Sequence, residues 1–192
     1  MKKTVLTFGL ISGAVISALM LATVPFMHQL SLNRSMILGY TTMVLAFLLV
    51  FFGIRSYREN IGEGRISFRR ALGVGLLIML IGSVCYVITW EFVYFTFMPD
   101  FAEKYAAFMI EDMRAKGASA AELAQAMDQM KTFQTRYNND IFYNVGMTLL
   151  EPLPVGVIMT LISALILRRG RKDLHDGQDA VKENPVTRVN PV

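Results

Sequence analysis

The hydrophobic residues of this chain are gathered into four long runs, which short polar stretches separate. The runs cover residues 4–27, 35–54, 71–98 and 141–167. A helix needs about 20 apolar residues to cross a bilayer, because it rises about 1.5 Å per residue through about 30 Å of hydrocarbon. The pattern therefore predicts an all-α protein, an integral membrane four-helix bundle.

The first run has two interpretations. It follows Lys2 and Lys3, as the apolar part of a cleaved signal peptide would, but that part is only about 7–15 residues long. The greater length of this run favours a first span that is retained. Gly9, Gly13 and Ser17 recur along it every four residues and predict the close approach of another helix, in this chain or in a second copy.

The one long polar stretch, residues 99–140, carries apolar residues at helical spacing and predicts an amphipathic helical hairpin between the third and fourth spans. Gly117 is suited to the end of its first helix, while Ser119 and Glu122 form a capping box for its second helix. The second helix has one apolar stripe, which consists of Leu123, Met127, Met130 and Tyr137. The hairpin is expected either to lie on the bilayer or to fold back over the bundle.

Positive charge predicts the orientation of the spans. Five arginines flank the loop between the second and third runs: Arg55, Arg58, Arg65, Arg69 and Arg70. Arginine-rich loops stay in the cytoplasm, so we expect both termini on the cytoplasmic side of a bacterial inner membrane and an extracytoplasmic hairpin. The membrane domain then covers residues 1–172, and residues 173–192 form a disordered cytoplasmic tail. The five arginines are expected to contact anionic phospholipid head groups.

Composition adds mainly exclusions. At 54% hydrophobic residues and a mean hydropathy of +0.43, the chain is too apolar for a soluble domain. The net charge of +4 does not indicate nucleic-acid binding, because the basic residues flank the apolar runs. Cys85 is the single cysteine, and His28 and His175 have no partner at ligand spacing. Neither a metal site nor a cofactor is predicted.

Two carboxylates interrupt apolar runs, Glu91 in the third run and Glu151 in the fourth. An ionisable group inside a span is costly and indicates a functional site. Because the third span runs outward and the fourth inward, both groups fall in the outer half of the membrane. Asn144 and Thr148 share the helical face of Glu151, so these four residues form a candidate intramembrane polar site. The structural alternatives are that Glu91 reaches the interface and that Glu151 only hydrogen-bonds a carbonyl.

Pro152 and Pro154 directly follow this carboxylate and predict an irregular helix at that point. Proline has no N–H group, so the carbonyls of Thr148 and Leu150 lose their usual helical partners. A neighbouring helix, a hydroxyl group or a water molecule must satisfy these carbonyls instead.

Three stretches carry a resemblance to a known family: Tyr57 to Phe68 (YRENIGEGRISF), Met98-Pro-Asp-Phe101, and Pro154-Val-Gly156 leading into Leu161-Ile-Ser-Ala-Leu165. Over nearly its whole length, from the first span to the basic residues after Leu167, the chain resembles the domain of unknown function 4199 family of small bacterial membrane proteins. The resemblance implies a four-helix inner-membrane protein and carries over no catalytic residue.

The sequence suggests three candidate functions. A non-enzymatic structural or interaction protein of the cell envelope needs only the features above and is the leading hypothesis. A small proton- or cation-coupled transporter or channel subunit would use Glu151 and Glu91, but the sequence has no inverted repeat. An enzyme is not predicted, because the sequence offers no nucleophile–base pair. The expected partners are the lipid bilayer, its head groups and a membrane protein or second copy of the chain, and not nucleic acid.

Overall fold

The structure, a computed structural model, describes residues 1–26 and 32–168. Its helices are α1 Lys2–Thr23, α2 Leu32–Asn60, α3 Phe68–Phe97, α4 Phe101–Ala115, α5 Ala120–Asn139, α6 Ile141–Leu150 and α7 Pro152–Leu167. A short 3₁₀ helix, Val24–Phe26, extends α1. The tail predicted at 173–192 and both histidines lie outside the described residues.

Four helical segments are long and apolar enough to span a membrane, which confirms the prediction of four membrane-spanning helices. They are α1 with its 3₁₀ extension, α2, α3, and the segment Ile141–Leu167 that contains α6 and α7. The second segment extends beyond its predicted end at residue 54, because α2 continues to Asn60 as a polar helix. An i,i+4 ion pair between Arg55 Nε and Glu59 Oε1, 2.9 Å apart, lies in this extension.

The spanning helices form a bundle in which α1, α2, α7 and α3 follow one another around the axis. Contacts between α2 and α3 cross its middle, where Phe47, Val50, Ile54 and Ile78 are fully buried. We call the end that carries the turn between α2 and α3 the loop end, and the end that carries α4 and α5 the hairpin end. The bundle therefore has one continuous apolar core toward its loop end.

The small-residue stripe of α1 packs against α3 within the same chain. A Cβ atom on Gly13 would lie 2.5 Å from Cys85 Sγ, and Gly9 makes a similar approach to Ile81. One turn further along, Ser17 Oγ and Thr89 Oγ1 are 2.7 Å apart and share a hydrogen bond. The stripe therefore packs within the chain, which is one of its two interpretations. Small side chains at these positions let the two helices approach closely.

Helices α4 and α5 form a hairpin that folds back over the end of the bundle. Phe101 on α4 contacts Trp90 on α3 with ring centroids 4.8 Å apart. Tyr94 Oη on α3 donates a hydrogen bond of 2.8 Å to Asn138 Oδ1 on α5. These contacts join the hairpin to α3. The hairpin therefore packs on the bundle, which is one of its two expected positions.

The turn of the hairpin matches the sequence prediction, whereas one face of α5 does not. Ser119 and Glu122 make both bonds of a capping box, and this hydrogen bonding to Ser119 lowers the pKa of the Glu122 carboxyl. The predicted apolar stripe placed Met127 inside, but its side chain is 56% exposed. Aromatic contacts with α3 and α4 set the inward face of α5 instead. That face consists of Ala126, Met130, Phe133 and Tyr137.

Candidate functional site

The fourth span is broken at Glu151, which separates α6 from α7. Pro152 starts α7, a position where its missing N–H group costs no helical hydrogen bond. The Thr148 carbonyl instead accepts from the N–H group of Glu151 at 3.4 Å, a tighter connection than the usual helical one. Glu151 itself keeps helical φ and ψ angles of −67° and −51°, so the predicted irregularity is a local interruption of the helical hydrogen bonding, with the carboxylate at the junction of α6 and α7.

The Glu151 side chain is held by a tyrosine from another helix. Tyr86 Oη on α3 donates a hydrogen bond of 2.6 Å to Glu151 Oε2. Among the described residues, no basic side chain forms an ion pair with this carboxylate. Glu151 is exposed and lines a cavity.

This cavity has a volume of ≈ 840 Å³ and lies between the spanning helices and the hairpin. Its walls come from α1, α2, α3, α6 and both hairpin helices, and most of the lining is apolar or aromatic. The polar groups that line it include Glu151, Thr148 and the hydroxyl groups of Tyr40 and Tyr86. A pocket of this size with a few polar groups is the usual form of a ligand site.

The fourth span packs differently on the two sides of the break. On the loop side, α7 packs along both α2 and α3. Beyond the break, α6 packs against α3 and α5 but not along α2. The cavity lies on the hairpin side of the break, between the first turns of α2, the end of α6 and the hairpin.

A buried chain of hydrogen bonds connects the hairpin to α6 beside the cavity. Trp90 Nε1 donates to Tyr137 Oη at 2.8 Å, and Tyr137 Oη lies 3.2 Å from Thr148 Oγ1. Thr148 Oγ1 donates to Asn144 Oδ1 at 3.4 Å, and Asn144 Nδ2 donates to the Tyr137 carbonyl at 3.1 Å. Every polar group of the network thus has a partner, as buried groups require.

Burial raises the pKa of Tyr137 to about 12, so its phenol stays neutral and can both accept and donate in this network. Neither Tyr86 nor Trp90 was predicted to belong to the site, and Tyr137 was predicted only on an apolar stripe. One sequence signal could have identified these residues. A tyrosine or tryptophan inside an apolar segment needs a partner for its polar atom.

Of the four predicted polar-site residues, the structure brings together three. Glu151 and Thr148 line the cavity, and Asn144 is bonded to Thr148. Glu91 is not among the cavity-lining residues. Both of its carboxylate oxygens are buried, and neither has a hydrogen-bond partner in residues 1–26 and 32–168. The two carboxylates therefore do not share one cavity.

The five arginines also separate into two groups. Arg55, Arg65, Arg69 and Arg70 are exposed at the loop end, where head-group contact remains their predicted role. The Arg58 side chain is only 14% exposed, and its Nη1 atom donates to the Leu167 carbonyl at 3.5 Å. A cation at a helix C-terminus is favourable, because the last carbonyls have no helical partner there. Arg58 thus joins α2 to the end of α7.

Residues 7–169 match the model of a family described as "Protein of unknown function (DUF4199)". No curated protein and no solved structure matches the chain. The matched region contains most of the first spanning segment, the other three segments in full, the hairpin, the break at Glu151 and all the described residues that line the cavity. The chain belongs to the DUF4199 family of proteins of unknown function.

Proposed function

We propose that this chain is a non-enzymatic protein of the bacterial inner membrane that binds a hydrophobic molecule from the bilayer in the cavity beneath its hairpin. The observation that carries the proposal is the cavity itself, with its volume of ≈ 840 Å³ and its largely apolar and aromatic walls. Ligand sites are commonly clefts of about 300–1,000 Å³ with walls of this kind.

Tight packing toward the loop end supports binding over conduction. A Cβ atom on Gly75 would lie 2.6 Å from Thr160 Cγ2, and Gly156 approaches the Met79 side chain closely. Phe47 is fully buried between these contacts. A transporter or channel that used Glu151 and Glu91 would need a path through this region and cooperation between the two carboxylates. The closed core and the separate position of Glu91 favour a binding protein instead.

The proposed orientation has the loop end in the cytoplasm and the hairpin outside. Its support is the set of exposed arginines at the loop end, since short arginine-rich loops are retained in the cytoplasm. The extensive packing of α1 against α3 supports its retention as a span of the folded protein. The cavity then opens within the outer half of the bilayer, where it can accept molecules from the outer leaflet.

The orientation predicts the activity of alkaline phosphatase fusions, because this enzyme folds only outside the cytoplasm. A fusion after Gly117, in the turn of the hairpin, is expected to be active. A fusion after Leu174, beyond the last span, is expected to be inactive although it accumulates to a similar level. The reverse pattern would refute the proposed orientation.

Filling the cavity is expected to weaken binding about tenfold in a Gly39→Phe variant, because the new ring takes space from the ligand. Gly39 lines the cavity, and a Cβ atom there would meet nothing within 4 Å, so the helices need not move. Trp90, the single tryptophan, also lines the cavity, so binding of 11-bromoundecanol can be measured by bromine quenching of its fluorescence.

The matched control is Gly73→Phe on α3. Gly73 is exposed, has open space around it and does not line the cavity. This variant is expected to bind the probe like the wild type. Equal binding by the Gly39→Phe variant would show that the probe does not use the cavity, and would refute the proposed site.

A further inference from the structure

We propose that the cavity selects hydrophobic organic cations, with the Glu151 carboxylate as counter-ion and the rings of Tyr40, Tyr86 and Trp90 around the cationic group. The inference rests on the proposed function, because it assigns a ligand class to the same cavity. Its starting point is the charge of the cavity lining together with the position of the carboxylate.

The cavity lining has an unbalanced negative charge at Glu151. Among the described residues that line it, the only basic side chain is Lys104 on α4, and Lys104 Nζ pairs with Asp100 Oδ2 at 2.7 Å. Glu111, at the hairpin end, adds a second carboxylate to the lining. A carboxylate in hydrocarbon without a basic partner is expensive, so a ligand that supplies a positive charge is favoured there.

The hydrogen bond from Tyr86 leaves the carboxylate able to receive such a cation. This bond, from Tyr86 Oη to Glu151 Oε2, is 2.6 Å long. Only Oε2 is engaged, and Oε1 accepts no hydrogen bond from the described residues. The side chain is therefore fixed in position while one oxygen remains for the ligand.

Aromatic rings from two helices supply the remaining surroundings. Tyr40 on α2 is within electrostatic reach of the Glu151 carboxylate, and Tyr86 contacts it directly. Trp90 stands one helical turn beyond Tyr86 and lines the same cavity. Aromatic faces attract ammonium groups, and the attraction strengthens where water is excluded. The apolar walls can hold the body of the ligand at the same time.

Two other cationic ligands fit these groups less well. A metal ion needs several charged or imidazole ligands, and no group of three or more His, Cys, Asp or Glu within the described ranges could hold one. A zwitterionic lipid head group would bring its phosphate near Glu151 and Glu111, which repel it. A lipid head group would also have to leave the membrane surface to reach the carboxylate. Glu151 lies ten residues beyond the start of α6, about 15 Å into the span at 1.5 Å per residue.

Three probes with the same brominated alkyl chain can test the inference through Trp90 quenching in a non-ionic detergent. One ends in trimethylammonium, one in phosphocholine and one in a hydroxyl group. We expect the ammonium probe to bind wild-type protein at least about tenfold more tightly than the alcohol. The net charge of +4 would oppose unspecific binding of a cation, so such a preference must come from the cavity.

Variants then assign the preference to one side chain. Glu151→Gln keeps the hydrogen bond with Tyr86 but removes the charge, so its affinity for the ammonium probe should fall to that for the alcohol. Saturable binding of the alcohol by this variant checks that the cavity is still folded. Glu151→Asp and Glu103→Gln should both retain the preference. The former keeps the charge, and the latter changes an exposed carboxylate that does not line the cavity.

The outcomes separate this inference from the proposed function. Equal binding of the ammonium probe and the alcohol by the wild type, both weakened by Gly39→Phe, would overturn the cation preference and leave the binding function in place. Tightest binding of the phosphocholine probe would overturn it in favour of a lipid head group. If no probe causes saturable quenching, the proposed function itself fails. The wild-type comparison decides the question even if Glu151→Gln does not fold.

Discussion

Replacing Gly75 by leucine is expected to be among the most damaging single changes in the bundle, lowering the free energy of unfolding by about 3 kcal/mol. A Cβ atom at this position would lie 2.6 Å from Thr160 Cγ2 on α7 and 2.9 Å from Ile54 Cδ1 on α2. Both neighbours are fully buried, so neither can turn away into lipid. The α3 helix would have to separate from two helices at once. Close packing is what holds membrane helices together, so this separation is costly.

Unfolding in mixed micelles with increasing sodium dodecyl sulfate measures the effect. Gly73→Leu on the same helix is the matched control, because Gly73 is exposed and a Cβ atom there would meet nothing within 4 Å. Its stability is expected to remain within about 0.5 kcal/mol of the wild type. Gly75→Ala combined with Thr160→Ala should be more stable than Gly75→Ala alone, since one of the close contacts is removed. Equal stabilities of the two leucine variants would contradict the packing described for α3.

Tyr137→Phe is expected to lower the free energy of unfolding by about 2 kcal/mol, because it leaves buried polar atoms without partners. The Tyr137 hydroxyl accepts from Trp90 Nε1 at 2.8 Å and lies 3.2 Å from Thr148 Oγ1. Phenylalanine preserves the ring packing but satisfies neither group. The hairpin should therefore loosen from the bundle, and the Trp90 emission should change as its N–H group loses its partner.

The matched control for this prediction is Tyr105→Phe. The Tyr105 ring stacks on Phe101 with centroids 5.9 Å apart, and its hydroxyl makes no hydrogen bond within the part of the chain that the structure describes. Thermal unfolding in detergent, followed by Trp90 fluorescence, should separate the two variants. Identical unfolding curves and emission spectra would mean that the Tyr137 hydroxyl contributes nothing to the joint between hairpin and bundle.

Ionisation of the Tyr137 phenol is expected to make the stability of the hairpin depend on pH. The pKa of Tyr137 is about 12 in the folded protein, against an ordinary value of 10.0. Between these values the phenol ionises in the unfolded chain and stays neutral in the folded one. Stability from this group is thus fully present below pH 10 and decreases as the pH rises toward 12. Tyr137→Phe should reduce that decrease.

The elements of this fold were predictable because their signals are local. An apolar run of about 20 residues can be satisfied in lipid only as a helix, and a capping box needs only residues three positions apart. Ser119 and Glu122 make the bonds predicted for them. Periodicity was less informative on α5, where Met127 was placed on the wrong side. There, contacts with α3 and α4 select the inward face, and the sequence of one helix does not contain them.

The candidate site was predictable only in part. Glu151, Thr148 and Asn144 were identified because polar groups stand out in an apolar segment. The expected pairing with Glu91 was argued from depth in the membrane, and depth does not set direction. Tyr86 and Glu91 are five residues apart on α3, which rotates their side chains by about 140° at 3.6 residues per turn. Tyr86 consequently contacts Glu151, while Glu91 is not among the residues that line the cavity.

By itself, the sequence determined that this protein has four membrane-spanning segments, a helical hairpin and a break beside an intramembrane carboxylate. Each of these follows from hydrophobic length, helical period or the missing N–H group of proline. The tertiary structure alone decided that a cavity lies beside the break and that Tyr86 holds the carboxylate there. The physical reason is that a cavity is the space between helices that do not meet. Whether α2 and α6 meet depends on packing between segments about a hundred residues apart, for which no local pattern exists.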